Sequence, residues 1–191
     1  IRSMNEQTRH SISMSIKILS KTNRIMISLP FFIQEVPLSL LLKAYNIDST
    51  RLKQYFKILN NDVSTNKNCQ QKEEEEEYSI FKKHLLLDLN DRQSSRDEAI
   101  SILTDFSVCK NVPKEKRCLY IDRVINNEVL PHLGIASSPE KKSFFLLLML
   151  QKLELVILNK RQCDDRDNLA NKRMEYGGVL LQELLRSSLK R

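Results

Sequence analysis

Near the start of the chain apolar residues alternate with polar ones: Ile12, Met14, Ile16 and Ile18, then Ile25, Ile27 and Leu29. A period of two marks half-buried strands, and Lys21, Thr22 and Asn23 between the runs read as a hairpin turn. Pro30 falls at the hairpin's end or on an edge. The spacing then lengthens. Pro37 opens a predicted helix over 36–45, with Leu38, Leu41, Leu42 and Tyr45 on one face. Asp48 reads as the N-cap of a second helix over 49–59, whose apolar side is Leu52, Tyr55, Phe56 and Leu59. Residues 60–71 are polar and read as a loop. The acidic run 73–77 suits the positive end of a helix dipole, a reading preferred over a metal-buffering tract, and that helix continues to about Leu89. Ser95 and Glu98 form a capping-box pattern for the next helix. Pro113 begins another, ending near Leu133 and Gly134. Pro139 opens a long helix to about Asn159, apolar almost all round and therefore buried on most sides. After a charged stretch, a last helix from about Val179 carries Leu180, Leu181, Leu184, Leu185 and Leu189. The fold class is α+β, predominantly helical, with a small N-terminal β element.

Composition removes several chemistries. The 191 residues hold only three glycines, where average usage of about 7% predicts about thirteen. No glycine-spaced phosphate loop, no G-x-S-x-G elbow and no H-E-x-x-H motif is present. The four cysteines form no C-x-x-C pair and fit a reducing compartment. The longest apolar run, 144–150, is well short of the roughly 18 residues of a membrane span. A net charge of +7 permits an acidic partner such as nucleic acid without requiring one. The chain begins at Ile1 rather than methionine, which we read as a segment of something longer.

The run 164–173, DDRDNLANKR, concentrates three carboxylates and three cations. It admits three readings. Clustered aspartates bind Mg²⁺. A prenyl-diphosphate D-D-x-x-D site would need an acid at 168, which is asparagine. An interlocked polar loop of Asp164, Asp165, Arg166, Asp167 and Asn171 would aim Lys172 and Arg173 at a phosphate backbone. Arg166 among the aspartates favours internal pairing over a bare metal site.

This run resembles the D-D-R-D-H-x-G-N-K-R segment of the second-largest subunit of multisubunit RNA polymerases. Met174 to Leu181 is similar to that family's L-D-L-A-G-P-L-L. Lys114, Glu115, Lys116, Arg117 and Tyr120, then Leu130, Pro131 and His132, are similar to its K-K-E-K-R-x-x-Y and L-P-H. Leu29, Pro30, Phe31, Gln34, Glu35, Pro37, Lys43 and Ala44 resemble its L-P-Y-x-x-Q-D-I-P and R-A-L-G. The anchors cover about 29–47 and 113–185 and look most like the RNA polymerase II branch; 48–112 carries no recognisable anchor. Asn46, Leu147, Asn168 and Ala170 depart from the pattern, three of them where the family has glycine, so this is a divergent member.

The resemblance implies the lobe, one wall of the cleft that holds downstream DNA. It implies that 1–28 end a preceding protrusion-like segment, that 29–163 form the lobe, and that 164–191 return towards the protrusion. The parent enzyme, a nucleotidyltransferase, would use Mg²⁺, but its metal ligands lie outside this segment, which needs no cofactor of its own. Lys172 and Arg173, with less weight on Lys160 and Arg161, are the expected DNA contacts. Expected partners are DNA, the largest subunit and other polymerase subunits, with an outer face for initiation factors and no membrane. The expected location is the nucleus, or the cytoplasm for a viral or plasmid enzyme. The competing class is a free-standing helical interaction module without catalytic activity.

Overall fold

The structure, a computed structural model, describes residues 1–5, 11–19, 21–64, 80–91, 95–109, 112–134, 137–165, 167–172 and 174–189. The period-two positions form strands. β1 (Arg2–Met4) and β2 (Ser11–Ser13) pair antiparallel, with Ser3 opposite Ile12. β3 (Ser15–Leu19) and β4 (Arg24–Ser28) make the expected hairpin, with Ile16 opposite Ile27. Ile25, Ile27 and Leu29 are buried, and Ile16 and Ile18 pack against the same core. Asn23 turns the chain at φ 50°, a left-handed conformation that asparagine tolerates.

The expected helix over 36–45 is shorter. Val36–Pro37 is instead a strand, β5, on the edge of the order β3-β4-β5. The fixed φ of proline suits extended backbone as well as a first helical turn, and its missing N–H is harmless on an edge. α1 (Leu38–Ala44) follows, buried along its whole length. It ends with Asn46 at φ 60°: the Asn46 N–H donates to Lys43 O at 2.8 Å and the Ile47 N–H to Leu42 O at 3.1 Å. That is a Schellman motif with asparagine in the usual glycine position.

α2 (Ser49–Ser64) starts as expected, with Asp48 O accepting from the Leu52 N–H at 2.9 Å. It runs five residues past its expected end, so 60–64 are helix and not loop. Polar residues cost a growing helix only about 0.7 kcal/mol each, too little to stop it. The remainder of that loop and the acidic run 73–77 lie outside the described residues. α3 (Ile80–Asp91) and α4 (Arg96–Asp105) follow. The Ser95 hydroxyl caps α4 by accepting from the Glu98 N–H at 3.4 Å. α5 (Lys114–Asn127) stops well before the expected Gly134. Pro131 disfavours helical backbone at the residue before it; buried Leu130 takes φ 56°, and a 3-10 turn, Pro131–Leu133, runs into Gly134 at φ 96°. Gly134 therefore ends that turn, not the α-helix.

α6 (Pro139–Ile157) ends two residues before its expected limit. Its buried rows, Lys142, Leu146, Leu150, Glu154 and Ser143, Leu147, Gln151, recur every four residues. Leu147, where the family pattern has glycine, is fully buried inside this helix. The polar members find partners. Lys142 Nζ donates to Asn126 O, Gln151 Nε2 donates to Leu59 O at 2.8 Å, and Glu154 pairs with Lys82 at 3.1 Å. Lys82 also lies 5.2 Å from the Phe56 ring centre, so α2, α3 and α6 meet at one polar node.

Contacts divide the chain into two units, Ile1–Glu154 and Leu155–Arg191. The first holds the sheets and the shared core of α1 to α6. The second holds a polar loop, a 3-10 turn over Leu169–Asn171 and α7 (Gly177–Leu189), which starts two residues earlier than expected. Among the described residues, seven α-helices and two small antiparallel sheets make the predicted α+β fold.

Candidate nucleic-acid interface

The charged stretch begins where a third asparagine reverses the chain. Asn159 sits at φ 54°, its N–H donates to Val156 O at 3.0 Å, and the Lys160 N–H donates to Leu155 O at 2.9 Å. This repeats the Schellman geometry of Asn46 and leads Lys160 and Arg161 out into solvent. Arg161 pairs with Asp164 at 2.8 Å. One Asp165 oxygen accepts from the Asp167 N–H at 2.9 Å, and Asn171 Nδ2 donates to the Asp165 carbonyl at 2.7 Å. Asn168 Oδ1 accepts from the Ala170 N–H at 3.0 Å and so caps the 3-10 turn. Asn168 replaces the family's histidine, and here a short acceptor at that position closes the turn. Ala170 sits inside this turn, away from the left-handed region that favours glycine.

Two cations differ from Arg161. Lys172 is 3.5 Å from an Asp167 oxygen, and both side chains are largely exposed. Such a pair contributes about 0–1 kcal/mol and leaves the ammonium available. Lys160 is exposed and has no ion-pair partner among the described residues. The structure thus gathers Asp164, Asp165, Asp167 and Asn171 into one hydrogen-bonded loop, flanked by Lys160, Arg161 and Lys172. Arg166 and Arg173 lie outside the described residues. Among the described residues no group of three His, Cys, Asp or Glu side chains is arranged to hold a metal ion. No helix among them is long and apolar enough to cross a membrane.

His132 is held through both its ring and its main chain. Its Nδ1 is 2.7 Å from the Ser3 hydroxyl, and its main-chain N–H donates to the same oxygen at 3.2 Å. Its ring stands edge-on to Phe145, centres 4.8 Å apart. Burial lowers the ring's pKa from 6.5. Ser3 is not legible as its partner in the sequence, being 129 residues away.

A family model described as RNA polymerase Rpb2, domain 2, matches residues 1–175. This chain belongs to that family. The match takes in 48–112, the stretch in which no anchor is recognisable by eye. The DNA-directed RNA polymerase II subunit RPB2 of Encephalitozoon cuniculi is 30% identical over 193 residues, covering all of this chain and 16% of that relative. The RNA polymerase II subunit 2 of Arabidopsis thaliana is 41% identical over 76 residues, 39% of this chain and 6% of that protein. The archaeal subunit Rpo2 of Sulfolobus acidocaldarius is 34% identical over 100 residues, 51% of this chain and 9% of that protein. The chain spans about a sixth of the length of the first of these relatives.

Proposed function

We propose that this domain serves DNA-templated transcription as the lobe of a second-largest, beta-type polymerase subunit. The observation that carries this is the family match over residues 1–175, together with a relative aligned along the whole chain. No observation favours a free-standing module. In this reading the domain is a wall and not a catalyst. It contributes no metal ligand to the parent enzyme, whose Mg²⁺ would be held by segments elsewhere. Its partners are the largest subunit, the other polymerase subunits, DNA and initiation factors. Its relatives among eukaryotic polymerase II subunits point to the nucleus.

The contact to DNA is assigned to the second unit. Lys160 and Lys172 are exposed and flank the hydrogen-bonded loop in the chain, and Arg161 and Arg173 are their neighbours in the sequence. Phosphate contacts of this kind hold a duplex without reading its sequence. The test is the double variant Lys160→Ala, Lys172→Ala in the assembled polymerase. The slope of log binding constant against log salt should become shallower by about two, with the affinity loss largest at low salt. An unchanged slope rejects the assignment and leaves the loop a purely structural device.

A further inference from the structure

The outer arc of α5 carries the most exposed large apolar side chain among the described residues of the first unit. Lys116, Leu119, Tyr120 and Arg123 recur at helical spacing opposite buried Ile121, Val124 and Ile125. Leu119 is 73% exposed and Tyr120 44% exposed. Lys116 and Arg123 are exposed and have no ion-pair partner among the described residues. The carboxylates of this helix lie off that arc. Asp122 is held by Arg96 at 2.7 Å and by Asn126 at 3.3 Å, and Glu115 sits on the flank in the first turn. Among the first unit's other exposed cations, Lys17 and Arg51 are paired with Glu35 and Glu140, whereas Lys53 and Lys57 on α2 are exposed without an ion-pair partner among the described residues.

We propose that the Lys116–Leu119–Tyr120–Arg123 arc docks an acidic, amphipathic segment of a partner protein. A leucine and a tyrosine between two unpaired cations form an apolar anchor with a positive rim. That rim is complementary to carboxylates on either side of a bulky apolar side chain. DNA fits less well. A phosphate backbone needs the cations but gains nothing from an exposed leucine at their centre. The proposal concerns a face of the first unit and stands apart from the DNA contact assigned to the second.

The test uses the assembled polymerase with the photoreactive p-benzoylphenylalanine in place of Tyr120. The probe is a fluorescent synthetic helix of glutamate and leucine, with a lysine and leucine helix as control. The acidic helix should crosslink at 120 and bind more weakly as salt rises. The double variant Leu119→Glu, Arg123→Glu should weaken its binding at least tenfold in the otherwise unaltered polymerase. Lys53→Glu, an exposed change on α2, should not. Because Leu119 and Arg123 are exposed, both variants should fold, and unchanged DNA retention would verify it. Absence of acidic-helix binding at low salt, equal binding of the lysine helix, or equal binding by the double variant overturns the proposal. So does a crosslink from 120 to DNA, or to another polymerase subunit without added peptide.

Discussion

Asn46 shows what one side chain does when it replaces a family glycine. At φ 60° an alanine would be strained by about 1–2 kcal/mol, whereas glycine would fit without strain. Asn46→Ala should therefore lower the urea midpoint clearly, and Asn46→Gly should move it little. Three titrating residues give pH dependences of known sign. Burial pushes the Lys142 ammonium down to about 8, against the opposing pull of the Glu128 carboxylate. Between about 8 and the ordinary 10.5 the unfolded chain holds a proton that the folded one has released, so stability rises with pH in that window. Lys142→Met should flatten this rise in urea titrations. Above the tyrosine's ordinary 10.0 the trend is opposed by Tyr45, whose buried hydroxyl donates to Ile125 O at 3.0 Å and stays protonated in the fold. For His132, with its pKa lowered by burial, the stability it contributes is complete above 6.5 and is lost as pH falls towards its folded value. The hydrogen-exchange protection factors of β1 and the Pro131–Leu133 turn, corrected for the intrinsic slowing of exchange at lower pH, should fall below that pH in the wild type. Phe145 and Ser3 are the groups that face the ring.

At the scale of elements, the buried pair of Lys82 and Glu154 ties α3 to α6. Removing one partner strands a buried charge. Glu154→Leu alone should cost about 3–5 kcal/mol, whereas the double change Lys82→Met, Glu154→Leu should recover most of it. A double-mutant cycle by urea unfolding measures the difference. These elements were legible in the sequence to different degrees. Periods of two and 3.6 located β3, β4, α1 and α2, and Ser95, Pro113 and Pro139 marked the starts of α4, α5 and α6. Element ends were less legible. Pro37 was compatible with both a strand and a helix, and only pairing with β4 decides between them. The end of α2 was hidden because polar residues read as loop although they cost a helix little. β1 was not legible at all, since three residues carry no usable period. Among the candidate residues, the contacts of Lys172 with Asp167 and of Asn171 with Asp165 join positions only five or six apart, within reach of a sequence reading. The Lys82–Glu154 and Ser3–His132 contacts were not legible, because nothing local signals a partner so far along the chain.

For the whole molecule, family membership was legible from ordered anchors before any contact was known, because fixed residues at fixed spacing survive divergence that blurs local pattern. The surface of the second unit was not. Leu180, Leu181, Leu184, Leu185 and Leu189 are each more than half exposed in α7. An apolar row of this size in contact with water favours association. The 191-residue chain alone should show concentration-dependent self-association in sedimentation, reduced by Leu184→Glu, Leu185→Glu. The seam between Ser3 and His132 carries a different consequence, one of timing. At roughly 5–20 residues per second, a ribosome takes about 6 to 26 s to make the 129 residues that separate the two. During that interval β1 and β2 have been synthesised while the turn that receives them has not. β1 is thus made early and locked in place late, and a chaperone holding nascent chain has that long to act on it.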